Sequence, residues 1–94
     1  MVPAELNRLK GRLLLRQGQA NLADELYRKA LAIAEKQQAK LWELRAALSL
    51  ARLRRDQGQA TAARDLLAPI YGWFTEGFDT ADLKDAKALL DELT

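Results

Sequence analysis

The chemistry open to this sequence is carried mainly by arginine. Arg8, Arg12 and Arg16 stand four residues apart, and Arg45 and Arg52 stand seven apart. In helices, each set falls on one face. A guanidinium is planar, always charged and forked, so it pairs at two points with carboxylates and phosphates. Other chemistries lack their parts. With no histidine and no cysteine, the usual proton shuttle, disulfides, thiolate metal sites and a cysteine nucleophile are all excluded. Ser49, the only serine, has no histidine to activate it. The glycines at 11, 18, 58, 72 and 77 are too dispersed for a phosphate-cradling loop. Asp24-Glu25 and Asp91-Glu92 are neighbours on a helix surface rather than pairs facing across a cleft. No set of side chains has metal-ligand spacing. The expectation is a protein that is not an enzyme, has no cofactor and uses charge for binding.

The elements that must position these arginines follow from a repeat. Gln17-Gly18-Gln19-Ala20 recurs as Gln57-Gly58-Gln59-Ala60, 40 residues later. Helical periodicity lies on both sides of each copy, which is the pattern of a helical-hairpin array. The 94 residues, 49% hydrophobic and rich in alanine and leucine, suit one small all-α domain. A first helix is expected from Pro3, with Leu6, Leu9 and Leu13 as its apolar stripe and Leu14 beside them. Gly11, in mid-helix, is expected to let a neighbouring helix come close. Gly18 ends the helix, and Asn21 is a candidate cap for a second one running to about Lys36. Its core face is Leu22, Ala23, Leu26, Tyr27, Ala30, Ile33 and Ala34.

Gln37-Gln38-Ala39-Lys40 has neither glycine nor proline, so only a slight break is expected before a third helix. That helix reaches about Gln57 on Trp42, Ala46, Ala47, Leu50, Ala51 and Leu53. Gly58 repeats the stop, and Thr61 is a candidate cap for a fourth helix built on Ala63, Leu66, Leu67, Ile70 and Tyr71. Pro69 should kink that helix or end it early. The aromatics Tyr71, Trp73, Phe74 and Phe78 are expected either to seal the core or to form an exposed anchor patch. Trp42 carries the same ambiguity. Thr80 is expected to cap a fifth helix whose buried stripe is Leu83, Ala86, Leu90 and Leu93, with Asp85, Lys87, Asp91 and Glu92 facing water.

Net charge is +2, unevenly spread. Residues 1–73 carry 13 basic and 7 acidic side chains, whereas residues 74–94 carry 2 and 6. Such asymmetry bears on partners and assembly rather than fold. No apolar run approaches the roughly 20 residues that span a bilayer, and the start lacks a signal-peptide block. A cytoplasmic protein without membrane partners is expected.

At an offset of 40, Arg12/Arg52, Leu13/Leu53, Ala23/Ala63 and Leu26/Leu66 match. Together with the duplicated turn, this resembles the tetratricopeptide repeat. The small, turn and aromatic positions of that motif are met by Gly11, Gly18, Ala23, Tyr27 and Ala30 in the first hairpin. Ala51, Gly58 and Ala63 meet them in the second, where Leu67 replaces the aromatic and Ile70 the alanine. The motif's tryptophan and terminal proline are absent, with Asn7 and Glu35 in their places. The period of 40 is longer than the usual 34, which resembles the long-helix variety found in large bacterial signalling ATPases, nucleotide-cyclase-like proteins and transcription regulators. The stretch from Leu66 to Leu93 is similar to the end of such chains.

The resemblance implies a single domain over 1–94. It would be a right-handed αα-hairpin solenoid with hairpins at about 3–36 and 40–74 and a capping helix at about 80–93. It also implies a concave groove lined by Glu5, Arg8, Arg12, Leu15 and Arg16, then Arg45, Leu48, Arg52, Arg55 and Asp56. With Arg8, Arg12, Arg16, Arg45, Arg52 and Arg55 against two carboxylates, the groove would bind an acidic peptide or an acidic protein surface. The chaperone-carboxylate clamp of the family needs asparagines that are not found there.

Other readings stay open. The arginines also read as a solvated face that keeps an alanine–leucine core in solution. The uncovered first hairpin, or the acidic fifth helix docking in the groove of another copy, would make the chain an assembly segment of a larger signalling protein. Within one chain the fifth helix and the arginines are expected to be too far apart to neutralise each other. Nucleic acid is disfavoured by the small net charge and by the lack of aromatics among the arginines.

Overall fold

Small residues, not leucines, make the inner line of the first helix. The computed structural model describes residues 4–94, so the expected start at Pro3 lies outside the described residues. Helix α1 (Ala4–Arg16) buries Ala4, Asn7 and Gly11, while Leu6, Leu9 and Leu13 are exposed. The two lines have the same i, i+3, i+7 spacing, and the one without bulk faces the protein. At Gly11 an added Cβ would lie 2.7 Å from Cε1 and 2.9 Å from Cδ1 of Tyr27, and 3.3 Å from the Ala23 carbonyl oxygen. The glycine is what lets α2 come this close.

Four more helices follow: α2 (Ala20–Lys36), α3 (Lys40–Asp56), α4 (Ala60–Gly72) and α5 (Ala81–Leu93). The described residues contain no strand. The first three connections are one motif used three times. After α1 the N–H of Gln19 donates to Leu14 O (2.9 Å) and that of Gly18 to Leu15 O (3.0 Å). After α3 the pairs are Gln59 to Arg54 (2.8 Å) and Gly58 to Arg55 (2.9 Å). After α2 they are Ala39 to Ala34 (2.9 Å) and Gln38 to Glu35 (3.1 Å). This is the Schellman closure, which needs a left-handed residue at its hinge. Gly18 and Gly58 supply it with φ of 79° and 77°, and Gln38 supplies it with φ of 55°. The slight break expected at Gln37–Lys40 is therefore a full turn, made by a residue whose type does not announce it. Gln19 and Gln59 precede α2 and α4 without a side-chain cap, so Asn21 and Thr61 do not cap.

Turns of three residues between helices that pack on one another fold each helix back along the last. Each helix packs on the next, and α3 also touches α1 and α5. Helices α1, α3 and α5 thus lie side by side with α2 and α4 behind them, and the shortest dimension of 19 Å suits two layers of helices about 10 Å across. Helix α3 is the hub. It buries Ala46, Leu50 and Leu53 towards the first two helices, and Leu44, Ala47, Leu48 and Ala51 towards the last two.

Helix α4 continues through Pro69 to Gly72 and is 13 residues long against 17 for α2. Of the aromatics at and beyond its end, Tyr71 and Phe74 pack on the core while Trp73 and Phe78 are exposed. Leu22, expected in the core, is also exposed, and Trp42, left open between core and exposed anchor, is exposed too; it carries the Arg45 guanidinium over its ring, 4.9 Å from the centroid. Thr80 precedes α5, but its hydroxyl donates back to Gly77 O (2.8 Å) rather than capping. Helix α5 closes the second core with Leu83, Ala86 and Leu89, while Leu90 and Leu93 are half-buried.

Candidate functional site

Side by side, α1, α3 and α5 border an open cavity of about 450 Å³, which Tyr27 of α2 also lines. Five of the six candidate arginines line it: Arg8 and Arg12 from α1, and Arg45, Arg52 and Arg55 from α3. Leu15, Leu48 and Asp56 line it too. Arg16 does not. It lies round the helix beside Leu9, Arg12 and Leu13 on the outer surface. Four further lining residues, Tyr27, Ser49, Asp82 and Asp85, were not foreseen in the groove. The two carboxylates not foreseen come from α5: Asp82 is half-buried, while Asp85, Lys87, Asp91 and Glu92 are exposed as expected, Asp85 and Glu92 nonetheless reaching arginines of α3.

The expectation that α5 and the arginines are too far apart within one chain is therefore wrong. Arg45 Nε reaches Asp82 Oδ2 at 3.1 Å, Arg52 Nη2 reaches Asp85 Oδ2 at 3.7 Å, and Arg55 Nη1 reaches Glu92 Oε2 at 2.7 Å. Because α5 stacks directly beside α3, residues 33 to 37 apart in sequence become neighbours, and Lys87 and Asp91 pair with each other farther round the helix.

Charge in the cavity is thereby largely compensated. Arg8 forks onto Glu5, with Nε to Oε2 at 3.0 Å and a second contact from Nη2 to Oε1. The hydrogen bond from Arg8 holds the Glu5 carboxyl below its ordinary range, against the opposing effect of burial, and Glu5 in turn raises Arg8. Arg55 holds both Glu92 and Asp56, which together push its pKa up, Glu92 more. Arg12 alone among the five makes no ion pair among the described residues.

Two hydroxyl-bearing residues line the cavity as well. Tyr27 is 2% exposed and Ser49 9%, and neither makes a side-chain hydrogen bond among the described residues. Burial pushes the Tyr27 phenol up, against the pull of Arg12, Arg8 and Arg52 nearby, so it stays protonated at neutral pH and able to donate. The site offers donors and positive charge to an oxyanion. Among the described residues no group of three or more acidic side chains is arranged to hold a metal, and no helix is long and apolar enough to cross a membrane.

Sequence reasoning placed the arginines through their helical spacing and the repeat. It missed Tyr27 and Ser49 because both read as helix-interior positions, and missed Asp82 and Asp85 because they belong to another element. No protein-family model, curated protein or solved structure matches the chain.

Proposed function

We propose that the chain is a non-catalytic protein-interaction module of tetratricopeptide type: two stacked helical hairpins and a closing helix, working in a reducing cytoplasm. Its arginine-lined cavity receives an acidic segment of a protein partner. The observation that carries this reading is the convergence of five arginines from two helices on one cavity, one of them, Arg12, without an ion pair among the described residues. The three repeated turns, the close α1–α2 approach at Gly11 and the alternating layers support the hairpin-array part of it. Paired cations are worth little to an incoming ligand unless it displaces the resident carboxylates, so binding centres on the α1 side.

A hexaglutamate peptide titrated into the full chain and into Arg12→Glu/Arg52→Glu tests this. Binding to the native chain and loss in the variant, with helicity and oligomeric state unchanged, is the expected result. Equal binding by both sinks it. Salt-sensitive binding to mixed DNA and RNA in place of the peptide would point to nucleic acid instead.

A second reading, assembly through the first hairpin, is favoured by one observation. Leu13 is 56% exposed on α1, whereas its repeat equivalent Leu53 is 3% exposed on α3. Hairpin two has this face covered by hairpin one; the matching face of hairpin one is open.

A further inference from the structure

The two steps of the helix layer are not equivalent, and the difference specifies a ligand. Where α3 meets α5, Arg52 faces Asp85. Forty residues earlier, where α1 meets α3, the corresponding residues are Arg12 and Arg45. An arginine stands where the later step has a carboxylate, and Arg45 is itself engaged by Asp82. Arg12 makes no ion pair among the described residues, and only the longer-range charge of Glu5, already held by Arg8, acts on it. Tyr27, within the electrostatic reach of Arg12, and Ser49 line the same cavity, both residues nine-tenths or more buried and their hydroxyls without a side-chain partner among the described residues. No buried side-chain nitrogen or oxygen among the described residues lacks a hydrogen-bond partner, so these hydroxyls open onto the cavity and are free to donate there, and a carboxylate oxygen accepts from hydroxyl and guanidinium donors alike.

We infer that the α1 side of the cavity is a subsite for one carboxylate, bound by Arg12 and by the hydroxyls of Tyr27 and Ser49. It rests on the reading above in that a side chain of the acidic partner supplies this carboxylate. One guanidinium without an ion pair balances at most one negative charge, so the subsite takes a carboxylate in preference to a dianionic phosphate.

Nuclear magnetic resonance of the full chain tests this with three probes at constant ionic strength: sodium acetate, inorganic phosphate and hexaglutamate. Acetate is expected to shift the signals of Arg12, Tyr27 and Ser49 saturably, and phosphate to do so more weakly. Arg12→Gln weakens acetate roughly tenfold, and Tyr27→Phe and Ser49→Ala each about threefold. Tyr27→Phe keeps the ring against Gly11, so its effect reports the hydroxyl and not the packing. Hexaglutamate moves the same signals at lower concentration. Acetate shifts that are absent, that centre elsewhere, or that survive Arg12→Gln overturn the subsite, even if hexaglutamate binds at the α3–α5 side and the broader reading stands. Acetate binding as expected without hexaglutamate binding overturns the acidic-partner reading and leaves a small-carboxylate site. Phosphate binding more tightly than acetate overturns the assignment of the anion.

Discussion

Gly11 and Tyr27 are the contact on which the first hairpin turns. In an isolated helix Gly11→Ala would gain about 1 kcal/mol of helix propensity. Here the new methyl would meet the Tyr27 ring at 2.7 Å and the Ala23 backbone at 3.3 Å. Tyr27 is buried and cannot swing aside freely, so overpacking, typically 1–3 kcal/mol, outweighs the gain. Thermal denaturation is expected to show Gly11→Ala less stable by about 1 kcal/mol; a variant more stable than the native chain would refute the close approach. Glu5 gives a pH signature at the same scale. Its folded-state pKa is held below the ordinary 4.5 by Arg8, so its stabilising effect is present above that value and is lost as pH falls through the lower folded one. Glu5→Gln removes this contribution. The stability gap between native chain and variant should therefore be seen at neutral pH and shrink below about pH 4; a gap independent of pH would show that the pair contributes nothing through charge.

At the scale of elements, the sequence announces a turn where the hinge is glycine and hides it where the hinge is glutamine. Gln38 occupies the left-handed position that Gly18 and Gly58 hold, at some steric cost. Gln38→Gly should raise stability by about 0.5–1 kcal/mol in chemical denaturation, and Gly58→Ala should lower it by a similar amount. The opposite order would mean that the three turns are not alike. Helix α5 separates two causes of docking. Leu89 is buried against the α3–α4 core, while the Arg55–Glu92 pair is largely exposed. Leu89→Ala should cost about 2–4 kcal/mol and Glu92→Gln under about 1 kcal/mol, read by denaturation of each variant. The leucine positions of α5 were legible from periodicity except Leu89, which follows Ala88 and precedes Leu90 in a run whose period blurs. The ion pairs were not legible, because Arg45–Asp82 and Arg55–Glu92 are each separated by 37 residues and depend on which helices stack. On α1 the pattern misled: period alone cannot tell the leucine line from the Ala4–Asn7–Gly11 line, and close helix packing selects the smaller.

The whole molecule is a slab of 33 × 32 × 19 Å with unlike ends. At the α5 end, Lys84, Lys87 and Asp91 are exposed, and the leucines of that helix face inward or are half-buried. At the α1 end, Leu6, Leu9, Leu13 and Leu22 are exposed with Leu26 and Ile33 half-buried. An apolar end cannot be matched by a charged one, so head-to-tail stacking of copies is disfavoured, and a twofold contact between α1 ends is the closed alternative. Sedimentation velocity on the native chain over a range of concentrations should show association that persists or strengthens at high salt, since apolar contact is not screened as ion pairs are. Leu9→Gln/Leu13→Gln should abolish it while leaving monomer stability within about 0.5 kcal/mol per site, because neither side chain is part of the core. Association that fades with salt would place the contact on the charged faces instead. A native chain that is monomeric at every concentration would remove the assembly reading and leave the cavity as the working surface.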